Sequence, residues 1–173
     1  STMFYTTTGA NNVAIGQGTM YMNTTGTKNV AVGNASLDAN TTGATNTAIG
    51  RDALTANTTA GNNTAVGTSA LSAATTGGDN TAVGRISGAA VTTGTNNVFL
   101  GYQTGTATVA LTTGGTNTLI GSYAYTTSAS SASANGFGYN LAAEAGYTTL
   151  GAVGDDIRAA HGNVTWATVS DER

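Results

Sequence analysis

Apolar and polar positions along this chain recur at a fixed interval. Short runs close on Gly16, Gly33, Gly50, Gly67, Gly84 and Gly101, each 17 residues after the last, and Gly121 follows after 20. Four residues before each glycine stands an asparagine: Asn12, Asn29, Asn46, Asn63, Asn80, Asn97 and Asn117. Three before it is β-branched (Val13, Val30, Thr47, Thr64, Thr81, Val98, Thr118) and one before it is branched and apolar (Ile15, Val32, Ile49, Val66, Val83, Leu100, Ile120). Such a run is too short for a helix and has strand chemistry. A strict period of this size predicts a solenoid, in which each repeat stacks on its neighbour.

A second apolar position follows four residues after the glycine, at Met20, Leu37, Leu54 and Leu71, and lapses at Gly88 and Gly105. Threonine pairs then close on a second glycine, as in Thr24-Thr25-Gly26, Thr41-Thr42-Gly43 and Thr75-Thr76-Gly77. Each coil is expected to hold two short strands and two turns. The fold class is therefore all-β, a parallel β-roll or β-helix rising about 4.8 Å per coil.

Stacking puts each repeat position above its own kind. Glycine then recurs at a corner that needs positive φ or close backbone approach, and asparagine amides form a ladder along the axis. The branched residues are expected to fill the interior. Between them lies a row that is also apolar: Ala14, Ala31, Ala48, Ala65, Ala82, Phe99 and Leu119. Alternation along a strand aims this row at the opposite face, and a strand apolar on both faces is buried on both. The alanine row is therefore expected to be a subunit interface.

Composition narrows the function. Only 8% of the 173 residues are charged and 6% aromatic, against 39% hydrophobic, much of it alanine. A thick core of large side chains is not expected. A net charge of −3 with five basic residues argues against nucleic acid as a partner. No cysteine is present, so neither disulfides nor thiolate metal sites hold the fold. No stretch reads as a membrane-spanning helix or as a signal peptide.

Catalytic chemistry is scarce, and neither cofactor nor metal is implied. His161 is the single histidine, and Ser170 with Asp171 forms no relay with it, because adjacent strand residues point oppositely. Asp155-Asp156 reads as a solvated pair capping a short helix through Ile157-Arg158-Ala159-Ala160. Asn23, Asn40, Asn57 and Asn62 open Asn-x-Thr patterns that turn chemistry explains. Tyr102, Tyr123, Tyr125, Phe137, Tyr139 and Tyr147 gather late in the chain. They suit either a plug at the end of the solenoid or a surface that stacks on sugars. Arg51 and Arg85 share a variable slot that reads as solvent-facing, and Trp166 reads as packed in a neck strand.

The runs "NNVAIG", "KNVAVG" and "NNTAVG" resemble the head repeats of trimeric autotransporter adhesins, over residues 12 to 121. That likeness implies a left-handed β-roll and three chains packed about one axis. The closing "NVTWATVSDER" resembles the junction that precedes the endosialidase-type intramolecular chaperone of phage tail fibres and tailspikes. This second likeness implies self-cleavage between Ser170 and Asp171, with the family's catalytic lysine falling beyond Arg173. Together they imply a non-enzymatic, homotrimeric tail-fibre segment of the virion, which attaches to a host-surface glycan or protein without membrane insertion. A bacterial surface adhesin head is the alternative in the same class, and a threonine-rich ice-binding solenoid the alternative in another. The chain divides into an entry segment (1–11), regular solenoid (12–121), degenerate continuation (122–154) and neck with junction (155–173). The three extra residues before Gly121 predict a looped-out bulge near Thr108-Val109-Ala110.

Overall fold

The structure, a computed structural model, describes residues 7–152, 154–162 and 167–168. Seven three-residue strands come first: β1 (Val13–Ile15), β2 (Val30–Val32), β3 (Thr47–Ile49), β4 (Thr64–Val66), β5 (Thr81–Val83), β6 (Val98–Leu100) and β7 (Thr118–Ile120). Then follow β8 (Tyr125–Thr126), β9 (Asn135–Phe137), β10 (Ala142–Ala143), β11 (Tyr147–Leu150), β12 (Ile157–Ala160) and β13 (Ala167–Thr168). Eleven strands form one sheet in the order β1-β2-β3-β4-β5-β6-β7-β9-β11-β12-β13, and β8 pairs with β10 apart from it. From β1 to β11 every pairing in that sheet is parallel. In the regular coils Ala31 lies opposite Ala48, Thr64 opposite Thr81 and Val83 opposite Leu100, while Ala82 meets Phe99 and Leu119 meets Gly136. The fold is the all-β solenoid that the period predicts.

Three expectations are corrected. The second side of each coil is not a strand. Its residues still bond coil to coil, as Leu37 N–H does to the Ala53 carbonyl at 2.9 Å and Ala39 N–H to that of Thr55 at 3.1 Å. However, the second and fourth residues after the corner glycine are left-handed, as at Ala35 (φ 53°), Leu37 (54°), Asp52 (58°) and Leu54 (52°). Left-handed residues interrupt the extended run that a strand needs. The helix expected at 157–160 is strand β12, because its N–H and C=O groups pair antiparallel with β11.

The third correction concerns the two faces of the strand. Ala31, Ala48, Ala65, Ala82, Phe99 and Leu119 are fully buried inside a single chain, and Ala14 packs against the same core. They face the coil's own interior and are not a subunit interface. No branched residue on either side of them in β1 to β7 is buried. The coil is narrow, and its opposite wall already brings in Met20, Leu37, Leu54 and Leu71, all at 0% exposure. A methyl group is what fits between; a branched side chain would overfill the space.

The one aromatic in the interior row supports this account. Phe99 replaces alanine where the leucine column lapses. A Cβ on Gly88 would lie 2.7 Å from the Phe99 ring, and one on Gly105 would also lie 2.7 Å from it. The ring fills the room that two missing leucines vacate. The corner glycines are held by a different constraint: at Gly50 φ is 132° and a Cβ would stand 2.5 Å from the Gly67 carbonyl oxygen.

The insertion loops out as expected. Leu111 N–H closes on the Gly105 carbonyl at 3.0 Å, where the coil below closes Val91 on Gly88 at the same distance with fewer residues between. The strand and corner bonds continue across the insertion, with Val98 N–H donating to the Asn117 carbonyl at 2.8 Å and Gly121 N–H to the Leu100 carbonyl at 2.7 Å.

Volume exchange is directly testable. Gly105→Leu alone should cost about 1–3 kcal/mol by overpacking, and adding Phe99→Ala should recover much of that loss. Thermal unfolding of the two variants measures it, and equal destabilisation in both would disprove the exchange.

Candidate functional site

The asparagine row does more than stack amide on amide. Each Oδ1 accepts the backbone N–H of the asparagine in the next coil, from Asn29 N–H to Asn12 at 2.9 Å through Asn117 N–H to Asn97 at 3.0 Å. Each Nδ2 donates to a backbone carbonyl on the next coil's other turn, as Asn46 does to Ala60 at 2.8 Å and Asn63 to Gly77 at 3.0 Å. Amide-to-amide bonds are added in places, for example Asn97 Nδ2 to Asn80 Oδ1 at 3.0 Å. Asn29 to Asn117 are fully buried in this row. Its role is structural, as the sequence predicts, and its principal partners are backbone groups.

A second ladder was not read from the sequence. Asn23, Asn40 and Asn57 are buried, with Asn40 Nδ2 donating to Asn23 Oδ1 and Asn57 Nδ2 to Asn40 Oδ1, both at 2.8 Å. Their shared 17-residue spacing was the available signal. Burial removes these three as glycosylation acceptors. Asn62 is exposed and bonds to Thr45 and Asp79 in the neighbouring coils. The second ladder stops at Asn57, whose Oδ1 has no partner, because Ala74 occupies the slot above.

The outward face of the sheet carries the branched rows. Ile15 is 60% exposed, Val13 47%, Leu100 43% and Ile49 40%. From β1 to β7 no charged residue interrupts these rows. The result is a continuous uncharged stripe, apolar with threonine among it, running the length of the regular stack.

Beyond the corner glycine lies a different surface. Tyr102 and Tyr123 meet edge to face with centroids 5.1 Å apart, and Tyr123 meets Tyr139 in the same way at 5.9 Å. Arg85 lies 4.5 Å from the Tyr102 ring centroid and donates to its hydroxyl at 2.7 Å. Partial burial, and then the hydrogen bond with Tyr102, push the Tyr123 phenol above its ordinary pKa. These aromatics do not plug the solenoid: Tyr139 and Phe137 are exposed, and the interior at that end is filled by Leu111, Leu119 and Leu141. Tyr147 lies under Arg158, which pairs with Glu144.

Other candidates come to little. The His161 ring bonds to Asn135 and Thr148 on the surface. Asp155 sits in a turn, not a helix cap, and among the described residues no group of three or more His, Cys, Asp or Glu side chains could hold a metal. Arg51 is exposed and pairs with Asp52 at 2.8 Å. No helix among the described residues is long and apolar enough to cross a membrane. Trp166, Ser170 and Asp171 lie outside the described residues. No family model, curated protein or solved structure matches this chain.

The ladder's share of stability can be measured. Asn63→Ala strands the Asn80 N–H and the Gly77 carbonyl, which Asn63 satisfies. The expected loss is about 2–6 kcal/mol, at about 1–3 for each orphaned buried group. Chemical denaturation that shows less than 1 kcal/mol would place the coil-to-coil cohesion elsewhere.

Proposed function

We propose that this chain is a non-catalytic structural and host-attachment segment of a bacteriophage tail fibre, assembled as a homotrimer. The observation that carries the reading is the uncharged outer stripe on a regularly stacked rod. Exposed apolar rows of this extent mark an interaction surface. A partner that fits them along seven coils must repeat with the same rise, and a second copy of this chain does so. Three stripes converging on one axis leave none exposed. The subunit contact therefore moves from the alanine row to the branched rows beside it.

The likeness of Ser170-Asp171-Glu172-Arg173 to a chaperone junction supports the tail-fibre assignment. A coil-length period makes slippage between chains by one whole coil nearly neutral, since each outer position would still meet its own kind. A terminal chaperone that aligns three ends removes that degeneracy.

Light scattering should report particles of three chains, each 16.9 kDa. Ile49→Asp with Val66→Asp should release folded single chains that keep their β-type circular dichroism, while Arg51→Gln leaves the mass unchanged. A single-chain wild type, or a charged variant that stays trimeric, would overturn the interface. Separately, a longer chain extending past Arg173 should be cut between Ser170 and Asp171, and Ser170→Ala should stay whole. Survival of the uncut wild type would remove the tail-fibre assignment.

A further inference from the structure

We propose that the ridge formed by Arg85, Tyr102, Tyr123 and Tyr139 is a carbohydrate-binding platform. The proposal rests on the attachment reading above and names the ligand class and the residues. Stacking does not require aromatic residues at this place. In coils nearer the N-terminus the slot after the corner glycine holds Gln17, Asn34, Arg51 and Thr68, and those coils stack with the same backbone bonds. The aromatic run therefore departs from the repeat on a surface the fold leaves free.

The chemistry of the ridge fits a sugar. The rings follow one another coil by coil and stand almost perpendicular to their neighbours, at 82° and 86°. Edge-to-face packing holds each ring in place while one coil's ring offers its face and the next its edge. A pyranose has both complements, an apolar C–H face and a rim of hydroxyls. Phenol hydroxyls and the Arg85 guanidinium supply donors beside those faces, and no carboxylate belongs to the ridge. A flat apolar partner would suit the outer stripe better than this stepped surface. Tyr139, 61% exposed at the end of the run, is open to a ligand.

The insertion adds a second feature at the same corner. Thr106, the first residue of the extra loop, bonds through Oγ1 to the Gln103 carbonyl at 3.0 Å and the Ile86 carbonyl at 3.4 Å. Both carbonyls belong to residues that directly follow ridge residues Tyr102 and Arg85. The chain's one enlarged loop in the regular stack thus springs from beside the ridge. In repeat proteins, insertions map to loops on one face, often the binding face.

The test uses the full chain on an array of purified bacterial lipopolysaccharides and capsular polysaccharides, with binding to intact and periodate-oxidised bacteria in parallel. Wild type should bind a subset of the array, and periodate should abolish cell binding. Tyr102→Ala and Tyr139→Ala should each weaken binding about tenfold or more, as loss of an aromatic anchor does. Arg51→Gln should bind as wild type, and melting temperatures should confirm that the tyrosine variants are folded. No polysaccharide bound by wild type, or equal binding by the tyrosine variants, would overturn the proposal. Cell binding that needs the tyrosines but survives periodate would also overturn it, in favour of a protein receptor. None of these outcomes alters particle mass or junction cleavage, so the fibre reading stands or falls separately.

Discussion

The side-chain amide that reaches from one coil into the backbone of the next is the interaction on which the rest of this structure depends. A coil of this size has three-residue strands, so its sheet alone offers few inter-coil hydrogen bonds. Asparagine supplies an acceptor and two donors at the end of a short stem. That is enough to hold the next coil's N–H on one turn and its carbonyl on the other. In the dry interior those bonds are strong, and losing one leaves a buried group that water cannot reach. Axial cohesion thus comes from polar groups, in a chain too poor in large apolar side chains to rely on a thick core.

Narrowness follows from the same arrangement. The amides hold the two turns of a coil at a fixed separation, so the strand side chain between them must be small unless space is released elsewhere. Phe99 shows the rule by its exception, since it enters only where Gly88 and Gly105 stand in for leucine. The large branched residues are displaced to the outside. An interior of alanine, leucine and asparagine therefore leaves the branched rows on the outside of each thin coil, and it is on those rows that the proposed trimer contact rests.

Most of the axial order was legible in the sequence, because a 17-residue period aligns the chain with itself. The first strand of each coil, its parallel register, the corner glycines and the looped-out insertion all followed from it, whereas the second strand expected in each coil did not form. The sense of the first strand did not follow either. Alternation separates Ala48 from Thr47 and Ile49 but is silent on which face is inside, and the larger side chains pointed to the wrong one. Position 157–160 misled differently: Ile-Arg-Ala-Ala has no local preference strong enough to resist pairing with β11. The second asparagine ladder was hidden because Asn23, Asn40 and Asn57 each stand in a turn-like setting that explains asparagine on its own. In the aromatic ridge, Tyr102 and Tyr139 directly follow corner glycines, whereas Tyr123 sits one residue later, which blurs the column in sequence.

After β11 the chain turns back, and β12 and β13 pair antiparallel with what precedes them. The ladder has already run out, for its last acceptor, on Asn117, takes the backbone N–H of Ala134, whose side chain carries no amide to continue it. A parallel stack with identical rungs is a template onto which any like chain could grow, as fibrillar aggregates do. Reversing strand direction at one end and withholding the next amide together present an incoming coil with the wrong polarity and no hook. Past β11 the structure therefore gives the next coil neither the parallel polarity nor the asparagine rung on which the regular stack is built.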